Sequence, residues 1–252
     1  MPDVEHPSST NAPLEQVTIH GIEPALLNQR LRPIAKRPPG SLVIHEIYRS
    51  LQGEGTHAGL PCVFVRLTGC HLRCGYCDSP HAFTQGEVRP VQEVIDAVLQ
   101  FEDRLVQITG GEPLLQAEVY PLMRALADAG RTLLLETSGA VDTSQVDPRV
   151  RVILDVKTPG SGEVQANHWP NLDRLKTGDE VKFIICDQHD FEWSLKIIDR
   201  YNLTNRVPVL ISPCFGKINL EKLASLVIDS GRFLRLQVQL HKILWDPNQR
   251  GV

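Results

Sequence analysis

From Ser41 onward, short runs rich in β-branched and aliphatic residues alternate with segments whose apolar positions recur every three to four residues. The first kind reads as buried strand, because a short apolar run bounded by turn formers offers no polar face to water. Strands are expected over 42–47, 62–67, 105–109, 132–136, 152–156, 181–185, 207–211 and 234–239. The second kind reads as amphipathic helix. Val91, Val94, Ile95 and Val98 keep one stripe, and Val119, Leu122, Met123 and Leu126 a second. Ile197, Ile198 and Tyr201 mark a third, and Leu220, Leu223, Leu226 and Val227 a fourth. Alternation of this kind builds βα units on a mostly parallel sheet, which places the chain in the α/β class.

Before Ser41 the pattern fails. Residues 1–40 are rich in proline, poor in large apolar side chains and without a sustained period, so a disordered N-terminal extension is expected there. Residues 41–252 show no repeat and no linker, and one catalytic-size domain is the simpler reading. The 252 residues are 42% hydrophobic, enough for a substantial core, and carry a formal charge of −4 with no block of like sign. That balance argues against nucleic acid as the main partner. No apolar stretch approaches the length of a membrane span and no secretory signal is visible, so a cytoplasmic location with no membrane partner is expected.

The polar residues of interest cluster just after the expected strands: Thr109 to Pro113, Glu136 to Gly139, Lys157, Ser212 to Gly216, and His241. In parallel α/β folds the loops at that edge face one crevice. Chemistry is signalled most strongly by the cysteines. Six are present, at 62, 70, 74, 77, 186 and 214, and three of them crowd the segment 69–78 (GCHLRCGYCD). Clustered cysteines in a reducing compartment bind metal or act in redox chemistry more often than they pair. Three thiolates are one short of the usual complement of an iron–sulfur cluster or a structural zinc, which leaves one metal position open. A zinc site completed by His71, His81 or a distant residue is an alternative, and a redox dithiol would leave one cysteine without a role. Cys62 and Cys186 sit beside apolar runs and read as small buried side chains. Cys214 reads as a backbone contact in a loop.

The run CHLRCGYC resembles the CxxxCxxC signature of radical S-adenosylmethionine enzymes, and TGGEP at 109–113 resembles their GGEP element, which alone is also an ordinary turn. The segments SLQGEG at 50–55, FVRLTG at 64–69, CDS at 77–79, ETSG at 136–139 and LHK at 240–242 resemble, in order and spacing, the 7-carboxy-7-deazaguanine synthase family within that superfamily. The resemblance implies a partial (βα) barrel in which Cys70, Cys74 and Cys77 hold a [4Fe–4S] cluster. It further implies that the open iron binds S-adenosylmethionine, contacted by Tyr76, Cys77, Asp78, Gly111, Glu112, Ser138, Asp155, Val156, Lys157, Ser212, Pro213, Cys214 and Phe215. Two departures stand out: the family often has Ser-Pro-Lys at 155–157 and Gln-Pro at 212–213.

For the substrate, 6-carboxy-5,6,7,8-tetrahydropterin, the resemblance assigns Leu51, Gln52, Gly53, Arg66, Thr109, Glu136 and His241. A carboxylate calls for a cation such as Arg66, and a guanidine-like edge for an acceptor such as Glu136. Ser79 stands where the family carries a hydroxyl ligand of Mg²⁺, an ion that keeps much of its hydration shell. Taken singly, these residues also suit a solvated arginine, a capping glutamate, a core histidine and a turn serine. The implied reaction is a radical ring contraction to 7-carboxy-7-deazaguanine with loss of ammonia, a lyase step in queuosine or other 7-deazapurine biosynthesis. A homodimer and a flavodoxin or ferredoxin as electron donor come with it. A glycyl-radical activating enzyme or a non-enzymatic zinc module are the other readings.

Overall fold

The computed structural model describes residues 22–247 and 249–252. One sheet of nine strands carries the fold, in the order β3-β1-β2-β4-β5-β6-β7-β8-β9. The strands are β1 (Ser41–Leu51), β2 (Pro61–Leu67), β3 (Glu87–Pro90), β4 (Leu105–Gly110), β5 (Thr132–Thr137), β6 (Arg151–Val156), β7 (Glu180–Ile185), β8 (Val209–Pro213) and β9 (Arg235–Leu236). β2 and β4 to β9 run parallel, while β1 lies antiparallel to both β2 and β3. β3 and β9 stand at opposite edges, so the curved sheet is not closed.

Period-two alternation divides the sheet into two faces. Val63, Val65, Val106, Ile108, Leu133, Leu135, Val152, Leu154, Val181, Phe183, Val209 and Ile211 belong to the main core. That core is covered by α2 (Val91–Leu99), α3 (Val119–Asp128), the short α4 (Pro170–Asp173), α5 (Gln188–Arg200) and α6 (Leu220–Asp229); the four longer helices present the apolar stripes expected from the sequence, except that Leu220 at the head of α6 is exposed. Local chemistry fixes two of their starts. Asp187 accepts a bond from the Asp190 N–H at the head of α5, and Asn219 does the same for the Lys222 N–H at the head of α6. On the other face, Cys62, Phe64, Leu105, Leu134 and Ile153 form a thin apolar layer. Above it the same strands turn polar.

Beyond single-residue shifts at strand ends, five expectations change. β1 runs on to Leu51, and β3 is a strand that the sequence pattern did not predict. The strand over 234–239 shrinks to two residues, and beyond them one further main-chain bond to β8 is made, from Gln237 N–H to Ile211 O at 2.9 Å. β8 begins two residues late because Pro208 has no N–H for the ladder. Residues 1–40 are not disordered throughout: α1 (Pro24–Ala35) is a formed helix that buries Leu31 and Ile34. Pro24 starts it, Leu27, Leu31 and Ile34 share one face against the core, and Arg30 Nη1 donates to the carbonyl of His71 at 2.5 Å. Proline content hid this short stripe. The rest of the expected extension, 1–21, lies outside the described residues.

Candidate active site

The loop after β2 carries the three clustered cysteines, and its peptide groups are held by other peptide groups and by the side chains of Arg30, Arg73 and Glu163. The Gly69 N–H donates to Ala82 O at 2.8 Å, Gly75 N–H to Ser161 O at 3.0 Å, and Glu112 N–H to Gly69 O at 2.8 Å. Arg73 Nη1 donates to Cys70 O at 2.8 Å. The next loop, after β4, can approach this closely only through glycine. A Cβ on Gly110 would lie 2.2 Å from Leu67 O, and one on Gly111 would lie 2.1 Å from Gly69 O and 2.9 Å from Cys70 Cβ. Gly110 also has φ +145°, where a side chain is strained.

Cys70, Cys74 and Cys77 all line one cavity of about 860 Å³. Among the described residues, the sets of three metal-capable atoms within 4.8 Å of one another are His45–Glu46–His81 and Asp187–His189–Asp190; the three thiols do not form such a set. Tetrahedral zinc would draw sulfurs together to roughly 3.8 Å. A cubane takes one thiolate per iron, so its three ligands need not converge on one ion, and three thiolates leave its fourth iron open. Burial pushes the Cys70 thiol up to about 12 and raises Cys74 and Cys77 as well, so these thiols stay protonated until a metal displaces the protons. His71, offered as a zinc ligand, is fully buried with neither ring nitrogen hydrogen-bonded, and it does not line the cavity. Burial drives its pKa down to about 3.

Beside the cysteines, the ends of β5, β6 and β8 bring Ser138, Asp155, Lys157, Ser212, Pro213, Cys214 and Phe215 to the same wall, together with Tyr76, Asp78 and Gly111. Lys157 Nζ lies 2.8 Å from Asp155 Oδ2. Burial works against the charge on Lys157, but Asp155 and neighbouring groups raise its pKa well above the ordinary range, so it is an ammonium at neutral pH. The Tyr76 hydroxyl and Asp155 Oδ1 are buried without a hydrogen-bond partner, and both residues line the cavity. Orphaned polar atoms at a cavity wall call for a polar ligand, and the ammonium, hydroxyls and adenine of S-adenosylmethionine fit that need.

Two residues that the resemblance assigns to the cofactor, Glu112 and Val156, do not line the cavity. Glu112 is fully buried and faces away from the cavity: it accepts from Leu114 N–H at 3.1 Å, Ser138 N–H at 2.8 Å, Ser138 Oγ at 2.5 Å and Thr137 Oγ1 at 2.9 Å. Its carboxylate braces two loops and is occupied in doing so. Val156 points into the main core, as alternation from Asp155 and Lys157 requires.

Deeper in the cavity a polar layer spans β1 to β9. Lys182 Nζ is bonded to Glu136 Oε1 and to Glu54 Oε2 at 2.9 Å, with Asp155 Oδ2 at 4.0 Å. Burial opposes its charge, yet Glu136, Glu54 and Asp155 raise its pKa well above the usual lysine value. Glu136 Oε2 accepts from Gln107 Nε2 at 2.8 Å and Thr109 Oγ1 at 3.4 Å. Gln52 in turn donates to Gln107 Oε1. Arg66 is already oriented, with Nε on Glu46 Oε1 at 2.7 Å, Nη2 on the Tyr48 hydroxyl at 3.1 Å and Nη1 on Ser79 Oγ at 3.4 Å. Tyr48 and Phe64 stack at 5.0 Å beside it and both line the cavity.

Leu51, Gln52, Gly53, Arg66, Ser79, Thr109, Glu136 and His241 thus share one cavity. Burial lowers the His241 pKa, so its ring is neutral near pH 7. Glu54, Gln107 and Lys182 were missed. The signal for Gln107 and Lys182 was present, since each is a lone polar residue at the in-facing step of an apolar strand. Residues 247 and 249–252 contribute too, Pro247, Arg250 and Val252 among them. The loop 52–57, whose Gln52, Gly53 and Glu54 line the cavity, is tied down at two points: Thr56 N–H donates to Glu180 Oε2 at 3.1 Å, and the Leu240 N–H donates to Gly53 O at 3.1 Å.

The fold and the three-thiol loop define a radical S-adenosylmethionine protein, and the model of the radical SAM superfamily matches residues 64–227. The chain is 41% identical to the 7-carboxy-7-deazaguanine synthase of Koribacter versatilis over 224 residues, covering 83% of this chain and 99% of that one. It is 37% identical to the namesake of Chlorobaculum tepidum, covering 84% and 97%. QueE from Escherichia coli shares the fold, with a TM-score of 0.66 at 22% identity over 79% of this chain and 94% of that chain. This chain belongs to the 7-carboxy-7-deazaguanine synthase family.

Proposed function

We propose that the chain converts 6-carboxy-5,6,7,8-tetrahydropterin to 7-carboxy-7-deazaguanine with release of ammonia, and that its residues divide the work along the cavity. The observation that carries the reading is the meeting, in one cavity, of the three-thiol loop with a buried polar layer fit for a carboxylated, guanidine-edged heterocycle. Cys70, Cys74 and Cys77 hold the cluster, and Tyr76, Asp78, Gly111, Ser138, Asp155, Lys157 and the 212–215 loop surround S-adenosylmethionine. When bound, cluster and cofactor together supply one-electron radical chemistry.

The protein's part is binding, orientation and dryness. Arg66, oriented by Glu46 and Tyr48, offers its remaining N–H groups to the substrate carboxylate, with Mg²⁺ at Ser79 sharing that charge. The Tyr48–Phe64 stack gives a flat apolar face for the ring system. Glu136 keeps acceptor capacity toward pterin N–H groups while Lys182 and Gln107 fix its position. Neutral His241 accepts or donates at the mouth of the loop 52–57. A cytoplasmic location, a homodimer and a flavodoxin or ferredoxin donor belong to the same proposal; no described helix is long and apolar enough to cross a membrane.

The test is anaerobic incubation of the brown, iron-loaded protein with reductant, S-adenosylmethionine, Mg²⁺ and the carboxylated pterin. Mass analysis is expected to show a product lighter by ammonia. Cofactor cleavage without that product, over a range of carboxylated pterin concentrations, overturns the substrate assignment.

A further inference from the structure

β1 does not run regularly past the cavity. Its pairing with β2 shifts register between Ile44 and Glu46, so His45 sits in a bulge. Adjacent residues of a regular strand point to opposite faces, and a bulge re-aims one of them. Here the result is that His45 and Glu46, neighbours in sequence, bring ligand atoms within 4.8 Å of each other and of His81, which lies on the turn following the cysteine loop.

We propose that His45, Glu46 and His81 form a second metal site, for a divalent transition ion of the zinc, cobalt or nickel type, separate from the cluster and from Mg²⁺ at Ser79. Two imidazoles and one carboxylate are a donor set that such ions accept and that Mg²⁺, which prefers oxygen and water, does not. The outer partners are in place. His45 Nδ1 lies 2.9 Å from Gln85 O, which puts the proton on Nδ1 and leaves the Nε2 lone pair for a metal. Glu46 Oε1 is held by Arg66 Nε at 2.7 Å, which leaves Oε2. The two imidazole rings stand 4.8 Å apart and tilted by 44°, converging rather than stacked flat. Glu46 and His81 line the cavity, so an ion reaches them without opening the fold.

The other set of this kind, Asp187–His189–Asp190, contrasts with it. Both oxygens of Asp190 already accept main-chain N–H groups, from Gly160 at 2.7 Å and Cys186 at 3.0 Å, and Asp187 caps α5. Those carboxylates have a structural occupation. The proposal does not depend on which substrate the cavity takes.

Calorimetric titration of zinc chloride into the full-length, cluster-loaded protein, with excess Mg²⁺ present, is the test, joined to zinc-edge X-ray absorption of the product. One equivalent is expected to bind, with a nitrogen and oxygen shell at roughly 2.0–2.1 Å. His45→Ala and His81→Ala are each expected to weaken binding at least tenfold while iron content per chain stays at the wild-type value; His45→Gln and His81→Gln serve if the alanine variants do not fold. Asp187→Asn is expected to leave the affinity as it is. No saturable zinc uptake, a sulfur shell around the zinc, wild-type affinity in both histidine variants, or loss of binding in Asp187→Asn would each overturn the site.

Discussion

At the cysteine end of the cavity every polar contact of the loop 69–77 has a peptide group on one side, met by another peptide group or by Arg30, Arg73 or Glu163, and the close approaches are made by glycine, whereas at the far end side chains drawn from β1, β2, β4, β5, β7 and the segment after β9 bond to one another. The first arrangement fixes a shape. The second fixes a charge pattern, and every member depends on its neighbours, because a buried carboxylate or ammonium that loses its partner is left in a poor solvent. The difference teaches that cluster assembly and substrate recognition are separable in this molecule, and mutations at the two ends test whether that separation is real.

The largest effect is expected at the cysteine end. Cys70→Ala, Cys74→Ala or Cys77→Ala each removes the brown absorbance, the iron and all turnover; a variant that keeps full iron content and activity breaks the comparison outright. At the other end, Lys182→Met strips Glu54 and Glu136 of their shared cation and is expected to cost about 3–5 kcal/mol of folding stability. Thermal unfolding of the variant measures it, and retention of iron in the surviving folded fraction is what separability demands. Arg66→Ala removes a charged hydrogen-bonding group and is expected to weaken substrate binding by about 2–3 kcal/mol. Cluster content and substrate-free cleavage of S-adenosylmethionine should be unchanged, and loss of iron in that variant would show the two ends to be one cooperative unit. Ser79→Ala is expected to do least, lowering turnover and its Mg²⁺ dependence by about 1 kcal/mol of binding. A rate indifferent to both chelator and the Ser79 hydroxyl removes this residue from the metal.

This division also explains what could be read from the chain alone. Cys70, Cys74, Cys77 and the glycines of the 109–113 loop are visible because contiguous main chain carries their function, so spacing preserves it. The helical stripes of α2, α3, α5 and α6 and the parallel strands were legible for the same reason: each is a local period. Lys182 and Gln107 escaped notice because their partners lie on other strands, 46 residues from Lys182 to Glu136 and 29 from Gln107 to Glu136. Glu112 was assigned to the cofactor from its motif, yet its partners Thr137 and Ser138 turn it inward. α1 was lost to composition: proline count outweighed a stripe of Leu27, Leu31 and Ile34 too short to register as a period. The bulge at His45 leaves no mark in sequence at all, since only pairing with β2 reveals it.

The connection 52–60 joins β1 to β2 outside the sheet, yet its Gln52, Gly53 and Glu54 line the cavity, and it is tied down by the Thr56 N–H on Glu180 and the Leu240 N–H on Gly53 O. Part of the binding surface is therefore borne by chain that contributes nothing to the strand ladders.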